Sequence, residues 1–288
     1  MTIRRRLGLL LVACLVLLTA PALAPAAAAE PPLLTGIRAS HHPGFDRVVF
    51  DFFGGLPARR SAQYVPALLA DPSGFRIPIR GQAILEISFA DARGRTLAGT
   101  DTAPNRTAFA LPNVLTTVQS GDGFENVVSY GVGLAVRQPF RISTLSNPSR
   151  VVLDIDTAFS WTNRPVFFVN SSANVVSVSR PIANTSVAHQ LMDRLYVGPT
   201  AGEMANGIRF VRSGSTGYKD LSISSGAVAR VSLTGGCNSG GATVTVANEI
   251  MPTLRQLPNV DFVKVYDPAG TTERPTGASD SIPTCLEP

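Results

Sequence analysis

Lysine is nearly missing from this chain: of its 25 basic residues, only Lys219 and Lys264 are not arginine. That skew fits GC-rich coding rather than a phosphate-binding surface. No run of about five basic residues occurs, so nucleic acid is excluded as a natural partner. Charged residues make up only 16% of the chain, which with abundant Gly, Pro and β-branched residues argues against a helical bundle. The three histidines, His41, His42 and His189, cannot supply a convergent zinc set, because His41 and His42 face apart on an extended chain. No G-x-S-x-G elbow is present. Outside the first thirty residues no long apolar run exists, so no transmembrane span is expected in the mature chain.

What is present begins with a leader. "MTIRRR" is a basic n-region, "LGLLLVACLVLL" an apolar h-region and "APALAPAAAAE" a small-residue cleavage region. Residues 1–29 read as a signal peptide, with Glu30 first in the mature chain. "LVAC", ending at Cys14, resembles a lipoprotein box and offers lipidation as the alternative, although the apolar run continues past the cysteine. Loss of Arg4, Arg5 and Arg6 reduces the formal charge from +5 to about +2, so the high pI owes much to the leader. A secreted, envelope-associated location follows.

Export leaves Cys237 and Cys285 as the remaining cysteines, and outside the cytoplasm such a pair is expected to form a disulfide. The bond would staple the polar tail "TTERPTGASDSIPTCLEP" to the turn "GCNSGGAT" (236–243). That turn fits the phosphate-binding P-loop spacing except that Ala242 stands where the lysine belongs. Alanine cannot neutralise phosphate charge, so no nucleotide is expected. The glycines instead permit a polar turn with positive φ. A reactive thiol at Cys237 is the functional alternative.

The chain changes grammar near "DIDTAFSWTNRP" (154–165). Before it, segments alternate with period two. In "DRVVFDFF" (46–53), Val48, Phe50 and Phe52 share one face, and Val49, Asp51 and Phe53 the other. "AILEISFAD" and "ENVVSYGVGLAV" behave alike, the two glycines of the latter marking a candidate bulge. "FRISTL" and "RVVLDID" flank the turn "SNPS" as a hairpin. Short strands at this spacing predict an all-β sandwich. After residue 165, "PVFFV" and "NVVSVSR" pair around "NSSA". A helix then carries Val187, Leu191 and Leu195, with Ser186 as N-cap. "TAGEMANG" holds a capping box, Thr200 to Glu203. A second helix presents Val246, Ile250, Leu254 and Leu257 and contains Pro252. With the strands "DLSISS", "ARVSLTG" and "DFVKVYD", this half reads as a small α+β domain.

"QPFRISTLSNPSRVVLDID" (138–156) resembles the carboxy-terminal hairpin of AMIN-type domains, and "HHPGFDRVVFDF" (41–52) resembles the first hairpin of the AMIN-like variant of exported actinobacterial proteins. "LMDRLYVGPTAGE", "ARVSLTGG" and "PTLRQLPNVDFVKVYDPAG" resemble the GerMN domain of spore-germination proteins. The resemblance implies an AMIN-like β-sandwich over 33–157 and a GerMN-like α+β domain over 163–288 with its tail tethered by the disulfide. It also implies binding of peptidoglycan, another wall polymer or an envelope protein by the first half, and of a second ligand by the other. Sporulation itself does not follow from the domain's name.

The residues themselves show no catalytic set, cofactor site or metal site. Asp51, Asp154 and Asp156 lie on the solvent phase of their strands, which reads as the polar side of a sheet rather than a glycosidase pair. The binding edge proposed from sequence is "HPGFDR", with His42, Phe45 and Arg47 on an exposed turn. Trp161, the sole tryptophan, falls between the halves, where packing suits it better than sugar stacking. The expectation is a non-catalytic binding protein; a wall hydrolase or its activator, and a protein-only assembly scaffold, are the alternatives.

Overall fold

The structure is a computed structural model that describes residues 30–288; the leader and Cys14 lie outside the described residues. The first half is built of strands: β1 (Leu33–His42), β2 (Phe45–Phe53), β3 (Arg59–Val65), β4 (Leu68–Leu69), β5 (Arg76–Ile77), β6 (Ala83–Ala90), β7 (Arg106–Ala108), β8 (Val114–Asp122), β9 (Val127–Leu134), β10 (Phe140–Ser146) and β11 (Ser149–Asp156). One sheet has the order β1-β2-β11-β10 and the other β3-β6-β9-β8-β7, with β4 and β5 as a separate pair.

The alternation seen in sequence is the reason these sheets pack. Val48, Phe50 and Phe52 face Leu85, Ile87 and Phe89 of β6 and Val128, Tyr130 and Val132 of β9 in one buried cluster, whereas Phe53 is 74% exposed. Phe50 lies 4.9 Å from Phe89 and 6.0 Å from Tyr130, centroid to centroid. Burying each such ring contributes about 1.5–3 kcal/mol. The glycines of β9 are explained by close approach rather than by a bulge of their own. A side chain at Gly131 would overlap Leu68, and one at Gly133 would strike the Arg80 carbonyl. Two register shifts fall on the partner strand β8, between Val114 and Thr116 opposite Leu134 and Gly133, and between Gln119 and Gly121 opposite Tyr130 and Ser129.

The second half comprises β12 (Trp161–Val169), β13 (Val175–Ala183), α1 (Val187–Val197), α2 (Ala201–Ala205), β14 (Ser215–Ile223), β15 (Val228–Gly235), α3 (Val246–Arg255) and β16 (Phe262–Tyr266). β12 and β13 form an antiparallel pair, and β14-β15-β16 a sheet in which β15 and β16 run parallel. A parallel pair needs a long crossover, and α3 provides it. Leu191 and Leu195 of α1 and Val246, Ile250 and Leu254 of α3 are all fully buried in a second core. Pro252 lies within α3, whose Thr253 hydroxyl accepts the Phe167 N–H of β12 at 3.1 Å.

Two capping expectations resolve differently. Thr200 and Glu203 form the reciprocal box, with Thr200 N–H donating to Glu203 Oε2 at 2.8 Å. Ser186 does precede α1, but its backbone is left-handed (φ 51°) and its hydroxyl caps nothing. In that conformation the side chain points away from the first-turn N–H groups, and only the Ser186 carbonyl joins the helix, accepting from Gln190 at 3.0 Å. The tail is held by more than the disulfide. After turning out at Gly270 it returns beside β16, where Ser281 bonds Val263 and Val265 at 3.1 and 2.9 Å.

Residues 31–288 form one compact unit. Ala158 and Ser160–Asn163 between the halves are exposed, yet buried polar contacts join the two sides. Arg194 of α1 is 1% exposed and donates to the carbonyls of Phe109, Leu111 and Pro112 at 3.2, 2.5 and 3.1 Å. Gln190 donates to Ala135 O at 2.7 Å, and Gln82 to Asp193 Oδ2 at 2.7 Å. Buried donors of this kind hold an interface because separating them strands their partners.

Candidate functional site

The residues of the proposed edge do meet at the β1–β2 turn. The His42 ring stacks on Phe45 with centroids 5.0 Å apart, and the Arg47 guanidinium lies 5.2 Å from the Phe45 centroid. Arg47, however, is already paired: it grips both Asp154 oxygens at 2.7 and 2.8 Å, and that bond raises its pKa. Asp154 is accordingly 8% exposed, and Asp51 pairs with Arg38 at 3.0 Å. A half-buried His–Phe pair is what the edge offers. Asp46, passed over in sequence, is fully buried and accepts from His41 Nδ1 at 2.8 Å and from the N–H groups of Asn113 and Val114 at 2.6 and 2.9 Å. It anchors the turn to β8. Trp161 lies edge-on to His41 at 6.1 Å, a contact between the halves. Among the described residues, no group of three His, Cys, Asp or Glu side chains is placed to hold a metal ion.

The glycine-rich turn is a clasp. Cys237 and Cys285 are bonded, Ser239 N–H donates to Cys285 O at 2.8 Å, and Ser239 Oγ to Glu287 O at 2.5 Å. Gly240 and Gly241 take positive φ values of 61° and 77°, which L-residues with side chains adopt reluctantly. At the start of α3, Val246 N–H is taken by Ser213 Oγ at 3.1 Å and Thr245 N–H by Asn248 Oδ1 at 2.8 Å. The donors a phosphate would need there are used internally.

The most distinctive cavity lies at the junction of the halves. It has a volume of about 290 Å³ and is lined by Pro78, Arg80 and Arg106 from the first half and Tyr196, Arg212 and Thr216 from the second, with Ser215 at its base. Arg80 follows β5, Arg106 opens β7, and Arg212 precedes β14. Among the described residues, no carboxylate forms an ion pair with any of the three. Each is steered by one backbone carbonyl: Thr216 O for Arg80 at 3.0 Å, Pro78 O for Arg106 at 2.6 Å, and Tyr196 O for Arg212 at 3.3 Å. A guanidinium has five N–H donors, so most remain free. Aromatic faces support two of them, Arg80 over Tyr196 and Tyr218 at 5.3 and 5.4 Å and Arg212 over Phe210 at 4.7 Å. A side chain at position 217 would occupy the space of the Arg80 guanidinium, so Gly217 makes room for it.

The electrostatics favour an anion. Desolvation, then repulsion from neighbouring arginines, lowers the pKa of Arg106, and desolvation does the same for Arg212, although both side chains remain open to solvent. Arginine stays charged under such shifts, so an arriving anion relieves like-charge repulsion. The buried Glu249 carboxyl, which acts on Arg212, is pushed up to about 9 by desolvation while both its oxygens face Val211 N–H at 3.1 and 3.2 Å. It therefore does not neutralise Arg212 near neutral pH. Asp193, which acts on Arg80, is also raised by burial.

Sequence reasoning missed this cavity because its arginines sit in three separate segments with no motif among them. The one available signal was the arginine excess, which coding bias seemed to cover; the cavity shows that at least three of these arginines converge on one place.

The fold defines a class: a β-sandwich joined through a buried interface to a small α+β domain. Residues 32–157 match the AMIN-like domain, and residues 165–266 match Germane, the family described as sporulation and spore germination. The chain carries an AMIN-like domain followed by a Germane domain, in the order expected from the sequence. No curated protein and no solved structure matches it. The two domains mark an envelope or spore-germination related protein, and AMIN-like domains are associated with peptidoglycan or envelope interactions. No helix among the described residues is long and apolar enough to cross a membrane.

Proposed function

We propose that this is a non-catalytic binding protein of the cell envelope that holds an anionic ligand at the junction of its two domains. The observation that carries the reading is the convergence of Arg80, Arg106 and Arg212 on one cavity, with no carboxylate ion pair among the described residues. Three converging guanidinium groups suit a phosphate or carboxylate, which they can grip through charge-assisted bonds. A wall polymer bearing such groups fits the AMIN-like association, and the His42–Phe45 edge would be a secondary contact. An envelope protein presenting an acidic segment would use the same charges.

The non-catalytic part of the reading is supported by the state of Ser215, a buried hydroxyl in the cavity lining. Its Oγ donates to Arg212 O at 2.6 Å and meets the Tyr196 hydroxyl at 3.1 Å. Among the described residues, no histidine or carboxylate hydrogen-bonds to it to act as a base. The Tyr196 hydroxyl is pushed up to about 12 by desolvation and stays protonated.

Calorimetric titration with inorganic pyrophosphate tests the reading. Saturable one-to-one binding is expected, weakened about tenfold or more by Arg106→Gln, since a bond to a charged group contributes about 1.5–3 kcal/mol. Absence of binding, or binding indifferent to Arg106, Arg80 and Arg212, would overturn it.

A further inference from the structure

A second cavity continues from the arginine cavity. Its volume is about 580 Å³, it shares Arg106 and Arg212 with the first, and its remaining wall is mainly apolar, with Val197, Pro199, Met204, Ile208 and Phe210 beside the polar Thr107 and Arg209. Both volumes suit a pre-formed small-molecule site. The wall is held in shape. Phe210 packs edge-on against Phe168 and Tyr196 at 6.0 and 5.2 Å, and Val197 joins Leu115 and Ala135 in a small buried cluster that bridges the halves. Met204, on α2, is 55% exposed at the groove although its side chain is apolar.

We infer that the ligand is an amphiphile: a phosphate or pyrophosphate ester of a single apolar chain, its head among Arg80, Arg106 and Arg212 and its chain along the groove past Phe210 to Met204. This rests on the anion site proposed above and narrows it. A free phosphate or a purely polar glycan would leave the apolar wall exposed to water, and an uncharged lipid would leave the arginines repelling one another. The charge at one end and the apolar wall at the other fit one molecule that has both.

The test compares farnesyl pyrophosphate, inorganic pyrophosphate and farnesol on the full mature chain by calorimetry. Farnesyl pyrophosphate is expected to bind at least a hundredfold more tightly than pyrophosphate, a gain equivalent to burying roughly three to four methylene groups. Met204→Asn should cut that advantage about tenfold while leaving pyrophosphate affinity unchanged. Arg106→Gln should weaken both charged ligands by a similar factor, and unchanged thermal unfolding of each variant shows that it folds. Equal affinity for farnesyl pyrophosphate and pyrophosphate would overturn the amphiphile and leave the anion site standing. Equal affinity for farnesol and farnesyl pyrophosphate, or no binding by any of the three, would overturn both.

Discussion

Raising the pH from 6 to 8 is expected to destabilise the protein by about 3 kcal/mol through Glu249 alone, at a slope near 1.4 kcal/mol per unit. In the folded chain its carboxyl titrates at about 9 against an ordinary 4.5, because the side chain is fully buried at the start of α3. Between those values the folded state holds a proton that the unfolded state has released. Stability from this group is therefore complete below about 4.5 and lost progressively up to about 9. Other groups also titrate in the window, so the measurement is a difference. Denaturant midpoints of the wild type and Glu249→Gln are compared at each pH. Glutamine keeps an oxygen for Val211 N–H and cannot ionise, so the variant should gain on the wild type as pH rises. A difference that does not change with pH would contradict the assignment.

Reduction of the Cys237–Cys285 bond is expected to cost about 4 kcal/mol on the chain-entropy account. The bond closes a loop with a sequence separation of 48 that begins just after β15 and holds α3, β16 and the tail. The folded state should survive, because other contacts hold the tail: Leu286 is 1% exposed, and the buried Lys264 ammonium donates to Arg274 O at 2.5 Å and Thr276 O at 3.2 Å. The effect is therefore read as a lowered denaturation midpoint with unchanged native spectra, in reductant or in the Cys237→Ser/Cys285→Ser variant. An unchanged midpoint would show that the non-covalent clasp suffices.

Much of the fold was legible because local rules and tertiary packing agree. The two-residue alternation through Val48, Phe50 and Phe52 is the inner face of a sheet, and the four-residue spacing of Leu191 and Leu195 is the buried side of α1. Thr200 and Glu203 needed only each other, and beyond the leader-like segment Cys237 had one possible partner. What stayed hidden depends on contacts distant in sequence. Gly131 and Gly133 look like weak strand residues until Leu68 and the Arg80 backbone are laid against them. Ser186 has the right side chain for a cap, but the turn before α1 needs a left-handed residue. Arg47 looked available until Asp154 arrived from β11. The junction cavity is the extreme case, since neither half alone contains it.

The central claim is that one anion is held by both domains together. The most direct measurement is a pyrophosphate titration of the isotope-labelled chain over residues 30–288 followed by amide resonances. The amides of Gly81 and Thr107 in the first half, and of Ser215 and Gly217 in the second, should shift together and saturate at one common concentration. Shifts confined to one half, or two sets saturating at different concentrations, would contradict it.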